Sequence, residues 1–379
     1  MKKKMLTFLL GAMMIAGVMC GCGGSEDAND KEVNNEVIVN DEGKEEDVTP
    51  STITVKGAYG EVEVPYAPER ICVLDMNTMD MIHTLGLGEK VVSLAYNKKH
   101  TTYLIDYYSS ETIVSLTVSS RNQEEGADPY EAYYSIDADM IIGDADAISA
   151  DAYAVLSQIA PTVVIPNSEE SSGMYESVME KSAIVASIWG KDDEMASIRE
   201  TYDAKYAKLV EECEGKTYVL GGGDAEGLQS FRLATTVTEN SSKKSDDSEK
   251  SDNSEKSSGG SNKVANTTAI NAFLSELKMT NITDTAPEEV RTEALAELDN
   301  DAAAKKMMEW IESVKPTGVF VTQRSYETYE DVLNAGYEYL YLDTLTCSFA
   351  ILGTEWTQLS GGLTGMMTMV DQLTDALID

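Results

Sequence analysis

The stretch Glu131-Ala-Tyr-Tyr-Ser-Ile-Asp-Ala-Asp139 leads directly into the apolar run Met140-Ile-Ile142, and the chain repeats this layout much later. There Glu309-Trp-Ile-Glu-Ser-Val-Lys-Pro-Thr317 passes through Gly318 into Val319-Phe-Val321. Each copy reads as a short amphipathic helix with a glutamate near its start, a tight turn, and a buried strand about ten residues after the glutamate. A strand reached through a helix is the mark of a parallel sheet, because parallel neighbours need a crossover connection. The two copies predict an α/β chain of two lobes with the same build.

The flanking sequence extends the pattern. Ile53 to Pro65 alternates apolar and polar residues on both sides of a Gly-containing turn and reads as a hairpin. Ile71 to Leu74 reads as a buried strand, Met79 to Leu85 as a helix stopped by Gly86 and Gly88, and Val91 to Leu94 as the next strand. Between the copies, Met174 to Cys213 contains no proline and carries apolar residues at helical spacing around Val178, Ile184, Ile188 and Met195. Gly190 divides it into two helical segments expected in tandem, an extended connector that resists wide hinge opening. The expected limits are an N-terminal lobe over 52–170, a helical connector over 171–214 and a C-terminal lobe over 215–379. Within the last, 239–263 is a Ser, Lys, Asp, Glu, Asn and Gly insertion that has no means of packing.

The start of the chain reads as an export signal. Lys2, Lys3 and Lys4 precede an apolar run from Met5 to Met19, too short for a stable membrane span. Met19, Gly21 and Cys22 resemble a bacterial lipobox, which implies that 1–21 is removed and Cys22 acylated; Cys20, directly after Met19, fits less well. Residues 22–51 are acidic, nearly free of aromatics, and expected to form a flexible tether. The net charge is −37, and loss of the three leading lysines leaves 26 basic against 66 acidic side chains, about −40. Such a chain is repelled by nucleic acid and anionic lipid, so its contact with membrane is expected through the anchor alone. Cys72, Cys213 and Cys347 show no metal-ligand spacing and read as buried thiols.

Enzyme motifs are missing: there is no Gly-x-Ser-x-Gly elbow, no His-Glu-x-x-His and no phosphate loop, and Gly221-Gly-Gly223 lacks the rest of a dinucleotide fingerprint. Ala67-Pro-Glu-Arg-Ile-Cys-Val-Leu-Asp75 followed by Met79-Asp-Met-Ile-His-Thr-Leu-Gly86 resembles the opening strand and helix of the substrate-binding lipoproteins of ABC importers for ferric siderophores and vitamin B12. Asp139-Met-Ile-Ile142 with Leu156 to Ile165 is similar to that family's second signature region. Tyr339-Leu-Tyr-Leu-Asp343 and Gly361 to Val370 are similar to its last strand and closing helix.

The resemblance implies a monomeric, lipid-anchored extracytoplasmic receptor that passes a metal chelate to a permease dimer driven by a cytoplasmic ATPase. No resident cofactor is implied, since the metal belongs to the cargo. In the family one glutamate per lobe docks onto arginines of the permease, and the matching positions here are Glu131 and Glu309. Ligands of α/β lobes lie beyond the carboxyl ends of the strands. That points to Met76, Asn77, Tyr96, Asn97, Lys98, Asp144, Arg232, Arg324, Tyr326 and Trp356, with Arg121 as a further basic candidate. Tyr96 and Tyr326 are candidates to stack on an aromatic ligand or to bind iron through a phenolate. The chain departs from the family's arginine-rich catecholate binders by placing Gly143-Asp144 where many relatives have arginine. A hydroxamate chelate, a corrinoid, haem, or a surface sensor without transport therefore stays open. Of the two histidines, His83 reads as packing, and His100 lies in a loop.

Overall fold

The computed structural model describes residues 50–94, 103–108, 114–115, 130–168, 172–224, 227–233, 268–291, 298, 300–322, 347–352, 356 and 359–378. The leader, the tether with Cys22, the 239–263 insertion and the expected strand at Tyr339 to Asp343 lie outside them.

β1 (Thr52–Gly57) and β2 (Gly60–Pro65) pair antiparallel in the expected hairpin. The first lobe then runs β3 (Ile71–Val73), α1 (Met76–Thr84), β4 (Val91–Leu94), β5 (Val114–Ser115), α2 (Glu131–Tyr134), β6 (Met140–Asp144), α3 (Ala150–Leu156) and β7 (Thr162–Ile165). Its five strands are parallel in the order β5-β4-β3-β6-β7. β3, β6 and β7 are buried along their whole length. Strands covered on both faces read as continuous apolar runs, which is how they stood out in the sequence.

After α4 (Met174–Ile188) and α5 (Asp192–Cys213), the second lobe contains β8 (Thr217–Asp224), β9 (Gly227–Leu233), α6 (Thr268–Glu276), β10 (Thr280–Asn281), α7 (Asn300–Val314), β11 (Gly318–Thr322), β12 (Ser348–Leu352) and α8 (Leu363–Leu377). Its parallel strands are ordered β10-β8-β11-β12, and β9 adds antiparallel to β8.

The repeated motif occupies equivalent places. β6 lies between β3 and β7, and β11 lies between β8 and β12, so each follows the first strand of its sheet. Glu131 stands nine residues before Met140 and Glu309 nine before Gly318. Three residues before each strand, Asp137 (φ 54°) and Lys315 (φ 48°) both adopt the left-handed conformation that ends a helix. Such a φ is uncommon outside glycine, so its recurrence at matched positions makes the repeat structural as well as sequential. The helices differ in length: α2 is a single turn of 4 residues that Glu131 opens, whereas α7 has 15 and carries Glu309 in its second half, not near its start as expected.

Two expectations are corrected. The connector is a hairpin of helices, not a tandem rod. Gly190 (φ 61°) turns the chain between α4 and α5, and residues near the start of α4 meet residues well into α5. Tyr175 stacks on Tyr206 with centroids 4.1 Å apart, and its hydroxyl donates to Asp203 at 2.8 Å. Among the described helices, α5 then leads into the second lobe, its 22 residues spanning about 33 Å. The start of α4 is capped from that lobe, where the Glu276 carboxylate of α6 accepts from the Met174 and Tyr175 amides at 2.5 and 3.3 Å. An acid there complements the positive end of the helix dipole.

The closing helix is the second correction. Assigned to the C-terminal lobe, α8 packs against α5, α4 and α1 of the first lobe as well as against β12. Lys205 and Tyr202 of α5 bind its Asp371 at 2.6 and 2.9 Å. One apolar core accordingly runs through both lobes, from Val73 and Ile142 through Val185 and Leu209 to Phe320 and Met366. Smaller clusters cover the outer faces, around Cys72, Tyr133 and Ile141 in one lobe and Val219, Ile311 and Val321 in the other.

Candidate functional site

In a parallel sheet the chain leaves the first strand in one direction and later returns to its other side, opening a crevice beyond the carboxyl ends of the two central strands. Here these are β3 with β6 and β8 with β11. Their ends bring Asp75 beside Asp144 in one lobe and Gly222 beside Thr322 in the other. Counted by strand alternation, all four continue the face that carries the shared core, whose members include Val73, Ile142, Leu220 and Phe320.

The first crevice is acidic and tightly bonded. Asp75 caps α1: its Oδ1 accepts from the Thr78 amide at 2.8 Å and its Oδ2 from the Thr78 hydroxyl at 2.7 Å. The same Oδ2 accepts from the Asp144 amide at 2.9 Å, joining the ends of β3 and β6. Burial first, and the neighbouring Asp144 carboxylate second, push the Asp75 carboxyl up to about 6. Asp144 turns its Oδ1 onto the amides of Asp146 and Ala147 at 3.0 and 2.9 Å and is 8% exposed. It holds its own loop first and offers little surface to a ligand. At the second crevice Gly221 and Gly222 lie beside Thr322, whose fully buried hydroxyl has no hydrogen-bond partner among the described residues.

The sequence candidates divide accordingly. Asn77 is half-buried, its Oδ1 lacks a partner, and its amide faces Gly361, where a side chain would collide. Met76 is buried in the core. Trp356 is fully buried; its Nε1 donates to Gln372 at 2.7 Å and its ring meets Phe273 edge-on, so it is placed as a core residue. The backbone of Arg232 pairs with Gly222, which sets that residue at the second crevice. Tyr96, Asn97, Lys98, Arg121, Arg324, Tyr326 and His100 lie outside the described residues.

His83 packs as expected, with Nδ1 2.7 Å from the Tyr108 hydroxyl and its ring 4.5 Å from that of Tyr107; burial lowers its pKa. Glu131 and Glu309 are both exposed. Asp75 and Thr322 were not singled out, although Asp75 carried the signal of a helix cap, an acid three residues before Thr78 at the end of a buried strand. Thr322 carried none. Among the described residues no three His, Cys, Asp or Glu side chains gather as a metal site, and no described helix is long and apolar enough to cross a membrane.

Comparison with solved structures decides the fold. The petrobactin-binding protein YclQ from Bacillus subtilis superposes with a TM-score of 0.51 over 87% of this chain and 100% of its own, at 16% identity. The periplasmic catecholate-siderophore binding protein VctP from Vibrio cholerae gives 0.51 over 86% and 99%, at 15% identity. The chain has the fold of the siderophore-binding proteins.

The resemblance read from the sequence is borne out at that level. Among curated proteins, the Fe(3+)-citrate-binding protein YfmC of Bacillus subtilis is 24% identical over 241 residues, 62% of this chain. The chain matches 66% of that relative's length. No protein-family model matches the chain.

Proposed function

We propose that this chain is an extracytoplasmic receptor that binds a ferric-siderophore-type chelate and hands it to the permease of an ABC importer. The observation that carries the reading is the pair of matched parallel-sheet lobes, each with a crevice at the carboxyl ends of its central strands, in a fold shared with siderophore-binding proteins. The curated relative named for ferric citrate supports the same class of cargo. The relatives are binding proteins by name, and the enzyme motifs are missing from the chain, so it acts by binding and not by catalysis. Cys22 is the proposed site of lipid attachment to the cell membrane, with 22–51 as the tether.

Glu131 and Glu309 are the proposed docking residues. Both are exposed and stand at equivalent positions of the two lobes, as two fixed arginines on a two-fold permease would require. The Asp75–Asp144 pair favours a chelate that brings neutral or cationic groups to the first lobe over a highly anionic catecholate.

The test is fluorescence titration of residues 51–379 with ferric catecholate, ferric hydroxamate, haem and cobalamin. Saturable quenching by a ferric chelate establishes the receptor and selects the cargo. Quenching by haem or cobalamin alone would replace the iron chelate with that ligand. A flat response to all four, with no binding of any of them by equilibrium dialysis, would overturn the reading.

A further inference from the structure

Glu131 has a neighbour that the docking role leaves unused. Tyr134 lies three residues further along α2, so the two side chains share a face of that turn. Glu131 is exposed, and Tyr134 is 59% exposed, more than half of a large aromatic ring open to solvent. Between them Tyr133 is buried, 2% exposed, in the cluster with Cys72, Ile136 and Ile141.

The turn beneath is clamped. The Arg70 guanidinium donates to the Ile136 and Asp137 carbonyls at 2.7 and 2.8 Å. The Asp139 carboxylate accepts from the Glu69 and Arg70 amides, both at 2.9 Å. Together they tie the approach to β6 onto the approach to β3. The backbone that follows Glu131 and Tyr134 is therefore held, which limits the ordering cost of engaging them to their side chains.

An exposed carboxylate beside an exposed aromatic ring suits one cationic group better than others. A guanidinium is planar, pairs with a carboxylate through its edge and stacks on a ring through its face; an ammonium offers only a point charge. The equivalent place in the second lobe is different. Three residues after Glu309 stands Glu312, half-buried and without a ring.

We infer that Tyr134 is a second docking residue, covering the face of a permease arginine whose edge pairs with Glu131, so that the two lobes engage the importer unequally. The first lobe supplies a desolvated aromatic anchor, which acts on dissociation; the second supplies charge, which acts on encounter. This rests on the docking role proposed above for Glu131 and Glu309 and names a further residue of the same surface.

The experiment places the photoreactive residue p-benzoylphenylalanine at position 134, at 306 on the exposed face of α7, and at 107, another exposed tyrosine of the first lobe. Each is carried in the full chain within the cells that produce it. The expected result is a light-dependent adduct between position 134 and a polytopic membrane protein, lost when Glu131→Lys is added and not formed from 107. An adduct from 306 with none from 134 would overturn the inference and leave the docking reading intact. Equal adducts from 134 and 107 would also overturn it. No membrane-protein adduct from either 134 or 306 would overturn the docking reading and the inference with it.

Discussion

Replacing Asp80 with alanine tests whether α8 braces the two lobes. Asp80 lies in the middle of α1 and is fully buried. Its carboxylate accepts from the Gly365 amide in the first turn of α8 at 3.2 Å and from the Tyr103 hydroxyl. The approach is close: a side chain at Gly362 would fall 2.3 Å from Asp80 Oδ2, and Thr84 meets Thr364 at 2.5 Å. In Asp80→Ala the Gly365 amide and the Tyr103 hydroxyl each lose the Asp80 carboxyl as an acceptor. The buried Gly365 amide left unpaired costs about 1–3 kcal/mol, which sets the scale of the loss. Set against a typical stability of about 5–15 kcal/mol, that is a large fraction. Urea unfolding followed by circular dichroism measures it, with the midpoint falling and the slope unchanged. Asp80→Asn keeps one acceptor and should lose about half as much. Hydrogen exchange locates the effect, since the Gly365 amide should exchange faster while α3, on the far side of the first sheet, does not change. A loss below about 1 kcal/mol for alanine would refute the reasoning, because the contact would then be solvated and not a brace.

Asp144→Asn keeps the acceptor for the Asp146 and Ala147 amides but removes the charge beside Asp75. Because the folded pKa of Asp75 is raised from near 4 to about 6, its contribution to stability is present below about pH 4 and lost as pH rises through 6, about 3 kcal/mol in all. The variant should shrink that fall by about 1 kcal/mol, read as the difference in urea midpoints between about pH 4 and about pH 7; an unchanged difference would show that burial alone sets the shift. The Cys72 and Cys213 thiols, both pushed up to about 11 by burial, should resist iodoacetamide in the native protein at mildly alkaline pH and react in urea; rapid native labelling would contradict their placement. All 3 tryptophans, Trp189, Trp310 and Trp356, are at most 8% exposed, so native emission should be blue-shifted and poorly quenched by acrylamide, and strong quenching would show that at least one is open to solvent. Ligand titrations by fluorescence consequently report on lobe packing more than on direct contact.

The sequence by itself determined several of the elements and their kind. Buried strands such as Met140 to Ile142 announce themselves as apolar runs, the Gly86 stop bounds α1, and the recurrence at Glu131 and Glu309 made two like lobes legible. These are local signals, set by side-chain period and by what a turn tolerates. Gly190 was correctly read as a break, but its left-handed backbone turned the connector into a hairpin; the spacing of apolar residues is the same in a straight pair and a folded one. Only the tertiary structure decided which residues meet. Asp75 and Asp144 are 69 residues apart, and Asp80 and Gly365 are 285 apart. Closing so long a loop costs only slightly more than closing a shorter one, so chain distance gives almost no guide to such pairings. They follow from sheet order and helix packing, and with them come the acidity of the first crevice and the helix that joins both lobes.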